Sequence, residues 1–196
     1  MENKLIKEEI SEQFYLYKNK LGIHEEITLS FKGIGDSGMY TMFNSIIIDN
    51  ITVKQWTTNP HRTKFVIIHE LVHGKFKELK NPFYIAFPFL IPPAVSLKYA
   101  MRELRANTIA HEKLDRNHEV LEDYFTNYCK IKDTSTNLAL GYVSGITYIN
   151  LIKSNPIWNK QAIEDAIEHF TSEYPNFRKI SLHKLEKIKS AFILQL

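Results

Sequence analysis

Two histidines, His69 and His73, lie four positions apart in this chain, and Glu70 directly follows the first of them. On an α-helix, residues at i and i+4 lie on one face, so both imidazole rings can point at the same metal ion. Glu70 lies one step round the helix from that pair. From there its carboxylate can take a proton from a water held at the metal and pass it to a leaving amine. The pattern therefore predicts a zinc site in which Glu70 is the general base.

The residues around this pattern predict the helix that it needs. Asn59 is of a type favoured at helix N-caps, and Pro60 is favoured at the first helical position. From there, apolar residues and both histidines recur at spacings of three and four, which predicts an amphipathic helix over residues 60–79. We expect the two imidazole rings on the apolar side of that helix, facing the protein interior.

A catalytic zinc ion needs a third protein ligand, which leaves the fourth position for water. The metzincin arrangement places a glycine and a third histidine where this chain has Phe76 and Leu79, so that class is excluded. A glutamate from a second helix, predicted over residues 94–113, is the next candidate. Glu103 fits because it begins a Glu-x-x-Ala-Asn pattern. The competing third ligands are His111 and His118.

Further side chains are expected to support such a site. Asn107 lies one turn beyond Glu103 on the same predicted helix face. Its carbonyl oxygen could accept the free ring N–H of a metal-bound histidine. Hydrolysis of a peptide also needs a donor for the oxyanion that forms at the attacked carbonyl. The candidates, among which the sequence does not choose, are Tyr142, Tyr148, His111 and His169.

Two segments resemble the motifs of the ImmA/IrrE-type metallopeptidases of bacteria and their mobile elements. Residues 62–73 (Arg-Thr-Lys-Phe-Val-Ile-Ile-His-Glu-Leu-Val-His) are similar to the family's active-site helix. Residues 103–110 (Glu-Leu-Arg-Ala-Asn-Thr-Ile-Ala) are similar to the segment that supplies its third zinc ligand, and residues 45–50 to the preceding strand. The resemblance implies an endopeptidase with one zinc ion per chain, held by His69, His73 and Glu103. Its protein or peptide substrate could be a helix-turn-helix repressor of a mobile element.

Two other interpretations stay open. Membrane-linked peptidases of the HtpX/Ste24 type share the His-Glu-x-x-His pattern and a downstream Glu-x-x-Ala-Asp/Asn pattern. Alternatively, the chain is a non-proteolytic interaction or regulatory protein on a zincin scaffold. The presence of Glu70 favours an enzyme, because a scaffold that only binds metal has no need of a carboxylate at that position.

Two apolar segments are candidates for substrate or partner contact. Residues 83–97 are too short to span a bilayer, which takes about 20 residues, and contain three prolines. We expect Phe87 and Phe89 in this segment to contact a protein, with a buried loop as the alternative. Ile47 lies in an apolar strand that could pair with an extended substrate backbone. The alternative for Ile47 is a plain core strand.

Composition sets the remaining expectations. A chain of 196 residues that is 44% hydrophobic can form one substantial core. A net charge of +3 does not favour direct nucleic-acid binding. The single cysteine, Cys129, excludes an intrachain disulfide and suits a reducing compartment, and residues 1–9 do not resemble a signal peptide. We expect a cytoplasmic protein without a membrane span, and the oligomeric state is not predicted.

The pattern of elements predicts a helix-rich α+β fold. It is expected to be a zincin-like minimal domain with a small β-sheet packed on the active-site helix, followed by a helical C-terminal half. We predict one domain over residues 1–196, with a motif core at about 20–113 and a helical extension at about 114–196. Outside the two motif helices, the predicted strands are 26–31, 38–43 and 45–49, and the predicted helices are 3–20, 118–130, 134–153, 157–173 and 181–195.

Overall fold

The computed structural model describes residues 2–32, 39–42, 45–78, 86–129 and 134–196. Within these ranges the protein is helix-rich with one small β-sheet, which confirms the α+β prediction. The helices are α1 (Glu2–Lys20), α2 (Asn50–Thr58), α3 (Pro60–Lys75), α4 (Pro93–Lys113), α5 (His118–Asp123), α6 (Ser135–Ala139), α7 (Gly145–Ser154), α8 (Lys160–Glu173), α9 (Pro175–Arg178) and α10 (Leu182–Ile193). A short 3-10 helix covers Pro88–Leu90, and a π-helical turn covers Tyr124–Tyr128.

The sheet consists of β1 (Thr28–Phe31), β2 (Met39–Met42) and β3 (Ser45–Ile48) in the order β1-β3-β2. The central strand β3 runs parallel to β1 and antiparallel to β2. Its three isoleucines are at most 3% exposed, as expected for a strand that is buried in the middle of a sheet. Helix α3 packs against β2 and β3, which is the arrangement predicted for the active-site helix.

The chain divides into two compact units, of which the first is Met1–Leu79 with Ile109–Tyr124 and the second is Lys80–Thr108 with Phe125–Leu196. The prediction of one domain over residues 1–196 stays a prediction. In the first unit, helices α1, α2 and α5 pack against α3. Phe14 of α1 and Phe65 of α3 are fully buried there, so α3 has a hydrophobic environment along most of its length.

Helix α2 was not predicted from the sequence. Its N-cap is Asp49, whose carboxylate accepts a hydrogen bond from Thr52 N at 2.8 Å. Thr52, Val53 and Trp56 form its buried face. This apolar stripe is short and contains a threonine, so the sequence pattern alone did not distinguish α2 from a loop.

In the second unit, the helix predicted over 134–153 is in fact two helices, α6 and α7. Gly141 lies between them with φ of 82°, a backbone conformation that residues with a side chain rarely adopt. A Cβ atom at this position would lie 2.3 Å from Tyr99 Cβ, so the close approach of α4 also requires glycine. The chain therefore turns at Gly141 instead of continuing as a helix.

Arg105 of α4 ties that helix to the C-terminal helix α10. Its side chain is completely buried, although arginine is rarely so. The guanidinium donates to Gln195 Oε1 at 2.5 Å and lies 5.1 Å from the centre of the Phe192 ring. These contacts, both within the second unit, partly offset the cost of burying the guanidinium charge.

In the part of the chain that the structure describes, every helix is too short or too polar to cross a lipid bilayer.

Candidate metal centre

The predicted start of the active-site helix is confirmed at Asn59. Its side-chain oxygen accepts from Arg62 N at 3.0 Å, and Pro60 occupies the first turn, where a missing N–H costs nothing. The Asn59 amide also donates to Asp123 at 2.8 Å, which fixes the N-terminal end of α3 against α5. The helix ends at Lys75, four positions before the predicted end at residue 79.

Helix α3 brings the two histidine side chains together. His69 and His73 are only 4% and 9% exposed. Their ring centroids lie 4.6 Å apart, and the two Nε2 atoms are separated by 3.0 Å. The Nε2 atoms of both rings therefore converge on one point, as the spacing of four predicted.

Glu103 joins this pair as the third metal-capable side chain. It is 7% exposed, and one ligand atom from each of His69, His73 and Glu103 lies within 4.8 Å of the others. Two imidazole nitrogens and one carboxylate oxygen form a donor set found in catalytic zinc sites. Tetrahedral bonds of about 2.0–2.2 Å would place ligand atoms roughly 3.3–3.6 Å apart, so the two Nε2 atoms, now 3.0 Å apart, would need to separate by only a few tenths of an ångström. This buried group could hold a metal ion.

The competing third ligands, His111 and His118, lie close to each other. His111 of α4 is 1% exposed, and its ring centroid is 5.0 Å from that of His118 at the start of α5. Among the described residues, the metal-capable group contains Glu103 and neither of these two histidines. Glu103 as the third ligand stays a prediction.

Glu70, the predicted general base, is half-buried on α3 beside His69. Glu70 directly follows His69 in the helix and keeps some access to solvent, while His69 and Leu71 on either side of it are buried. A base that exchanges protons with substrate needs that combination. Its catalytic role stays a prediction.

Tyr148, one of the proposed oxyanion donors, has its hydroxyl occupied. The Tyr148 hydroxyl donates to the carbonyl oxygen of Gly141 at 2.9 Å, and the residue is 1% exposed. The pKa of Tyr148 is raised well above its usual value, mainly by burial and to a smaller extent by the negative charge of Glu103. The hydrogen bond connects Tyr148 of α7 to the turn at Gly141, and the role of Tyr148 as an oxyanion donor stays a prediction. Tyr142 is half-buried, His169 is half-buried on α8, and the oxyanion roles of both stay predictions.

Asn107 is 2% exposed on α4, one turn after Glu103, and its predicted contact with a ligand histidine stays a prediction. Glu78, which the sequence analysis did not identify, contacts the imidazole of His73. Glu78 Oε2 lies 3.2 Å from His73 Nδ1, the nitrogen on the far side of the ring from His69. A second residue that was missed is Tyr124, whose ring packs on Phe65 and lies 6.2 Å from the His69 ring.

The predicted substrate-contact residues fall into two different environments. Ile47 is 3% exposed, and its strand is paired with β1 on one side and β2 on the other. No edge of β3 is therefore open to a substrate backbone, and Ile47 lies in a core strand, as the alternative interpretation expected. Phe87 and Phe89 are 44% and 79% exposed, with ring centroids 6.2 Å apart. Of the apolar segment 83–97, residues 83–85 lie outside the described residues.

Comparison with family models, with curated proteins and with solved structures found no match.

Proposed function

We propose that the protein is a zinc-dependent endopeptidase that hydrolyses peptide bonds of a protein substrate. The observation that carries the proposal is the buried convergence of His69, His73 and Glu103 with Glu70 beside them on α3. Burying a carboxylate costs free energy unless its charge is neutralised, and a metal ion bound by the three side chains would supply that neutralisation.

His69, His73 and Glu103 are the residues that would hold the metal. When bound, zinc supplies Lewis-acid chemistry: it lowers the pKa of a water toward about 7 and polarises the scissile carbonyl. Glu70 then receives the proton of the attacking water on its carboxylate and delivers it to the leaving amine. A carboxylate adjacent to the ligand pair has no equivalent purpose in a purely structural site, which is normally closed by four protein ligands.

The zincin-like architecture and the ImmA/IrrE resemblance belong to this proposal. The small mixed sheet stands before the active-site helix in sequence and packs on it, and Glu103 lies on a later helix. These relations agree with the order of elements that the resemblance implies. A protein substrate such as a helix-turn-helix repressor, and a cytoplasmic location, follow from the resemblance and from the composition.

One observation favours a second candidate function, in which the chain acts by binding a protein without cleaving it. Phe87 directly precedes the short 3-10 helix Pro88–Leu90 and Phe89 lies within it, and both aromatic side chains are exposed, as is Leu90 at 49%. Exposed aromatic side chains in one short segment are typical of protein contact surfaces. The two functions differ in whether Glu70 is needed.

Metal content is the first test. Elemental analysis of the purified protein is expected to give about one zinc per chain, with strongly reduced content in Glu103→Ala. Unchanged zinc content in that variant would move the third ligand to His111 or His118. A wild-type protein that takes up no zinc would remove the basis of the proposed function.

The Glu70→Gln substitution tests catalysis separately from metal binding. It keeps the size of the side chain and removes the base, so activity should fall about 10²-fold or more while zinc content stays the same. The assay is the appearance of new N-termini in a complex peptide library, detected by mass spectrometry. Glu12→Gln, which removes an exposed carboxylate from α1, is the matched control and should cleave like wild type. If zinc-loaded wild type creates no new termini either, the binding-only function is favoured.

A further inference from the structure

We infer that Glu78 is a positioning residue that holds His73 in the orientation and tautomer needed for metal binding. The inference rests on the proposed zinc site and concerns how the chain prepares one of its ligands. The inference is carried by the geometry at the C-terminal end of α3, within residues 69–78.

The backbone at this end of the helix forms a Schellman motif. Lys77 has φ of 52°, and its N–H donates to Gly74 O at 3.1 Å. The next N–H, that of Glu78, donates back to His73 O at 2.9 Å. In this motif the second residue past the cap is folded over the residue five positions earlier. Here those two residues are Glu78 and His73.

The side chains repeat the contact that the backbone makes. Glu78 Oε2 lies 3.2 Å from His73 Nδ1, and the two side chains are only 4% and 11% exposed. An apolar contact often occupies this place in a Schellman motif, whereas this chain has a carboxylate against an imidazole. A hydrogen bond between such groups is stronger when water is excluded from it.

The contact determines what the other ring nitrogen can do. A carboxylate only accepts hydrogen bonds, so Glu78 favours the His73 tautomer that carries its proton on Nδ1. The lone pair is then on Nε2, which faces His69 Nε2 at 3.0 Å. Outer carboxylates of this kind orient ligand histidines and increase their basicity, and their loss typically weakens metal affinity about 10–100-fold.

A purely structural explanation makes a different prediction. If Glu78 only stabilised the end of α3, its removal would lower thermal stability and leave zinc affinity unchanged. The decisive measurement is therefore the zinc dissociation constant of folded protein, obtained by competition with a chromophoric chelator, alongside the melting temperature of the metal-free protein.

The variants separate the carboxylate from the turn that presents it. Glu78→Ala is expected to weaken zinc binding about 10–100-fold. Glu78→Gln, which keeps an oxygen acceptor and loses the charge, should fall between Glu78→Ala and wild type. Lys77→Gly preserves the left-handed turn and should bind zinc like wild type, as should Glu12→Ala, which removes a remote exposed carboxylate. Equal zinc affinity in wild type and Glu78→Ala would overturn the inference.

A spectroscopic readout keeps the test valid if Glu78→Ala does not fold. Nitrogen-15 NMR of the zinc-loaded wild type should show a His73 Nδ1–H proton that exchanges slowly with water, and Glu78→Gln should exchange it faster. Rapid exchange in wild type would overturn the inference. A wild type that binds no zinc would overturn the proposed function with it. A wild type that binds zinc but cleaves nothing would leave this inference standing.

Discussion

Helices α3 and α4, which carry the three candidate ligands, end in the same backbone motif. At the end of α4, Asp115 has φ of 56°, its N–H donates to Glu112 O at 3.2 Å, and Arg116 N donates to His111 O at 2.9 Å. The turn is therefore a second Schellman motif, and it again closes on a histidine. The two helix ends differ in the residue that closes the motif.

The closing residue is the acidic Glu78 at the end of α3 and the positively charged Arg116 at the end of α4. Glu78 accepts from the imidazole of His73, whereas the guanidinium of Arg116 only donates and is exposed to solvent. The ring of His111 packs near the ring of His118 instead. A buried histidine at a helix end is thus not a metal ligand by its position alone, since the side chains around the ring decide which nitrogen is available.

The buried faces of the two helices differ as well. Helix α3 buries mainly apolar residues together with its two histidines. Helix α4 buries several polar or charged side chains in its second half, namely Glu103, Arg105, Asn107, Thr108 and His111. Because buried polar groups need specific partners, α4 depends on particular contacts where α3 depends on general hydrophobic packing.

The largest expected effect distinguishes the two histidines that close the motifs. His73→Ala removes a proposed ligand. Its zinc affinity should therefore fall by more than the factor of about 10–100 that is typical when a residue outside the ligand shell is removed. His111→Asn should keep about one zinc per folded chain. Both expectations are checked by gel filtration, which isolates the folded protein, followed by elemental analysis of its zinc content. Loss of zinc from folded His111→Asn would contradict the distinction drawn between His73 and His111, and would indicate that His111 is a ligand.

A smaller effect is expected for the buried charge of α4. Arg105→Ala removes a completely buried side chain and its contacts with Gln195 and Phe192, which should lower the free energy of unfolding by about 3 kcal/mol. The control is Arg102→Ala on the same helix, where a half-buried guanidinium lies over Tyr99 and the cost should be about 0.5–1 kcal/mol. Urea unfolding measures both. Equal costs would show that burial of Arg105 contributes no stability of its own.

The smallest effects concern the shared backbone turn. Lys77→Gly relieves a left-handed conformation in a residue poorly suited to it and should stabilise the protein by about 0.5–1 kcal/mol. Asp115→Gly should gain less, because aspartate tolerates this conformation better than lysine does. Thermal unfolding of the two variants compares them. A larger gain at Asp115 than at Lys77 would contradict the assignment of strain.

Much of the fold could be predicted because it depends on local patterns. The apolar spacing and the Asn59-Pro60 start predicted α3, and the three short apolar runs predicted the strands. Helix α2 was missed since its buried stripe is short, and the split at Gly141 was missed because its cause is the close approach of Tyr99. The glycine itself is a local signal of a helix end, but its contact with Tyr99, which lies 42 positions earlier in the chain, could not be predicted from local sequence.

The candidate site divides in the same way. The sequence alone determined that His69 and His73 face one point, because the period of an α-helix places residues four apart on one side. The choice among Glu103, His111 and His118 depends on the tertiary structure, since side chains from separate elements meet through packing that no local pattern encodes. Among the described residues, the metal-capable group contains Glu103. Glu78 lies between these cases. Its contact with His73 spans five residues, yet it depends on a left-handed turn at Lys77 that a lysine does not signal, so the geometry of the chain had to be known first.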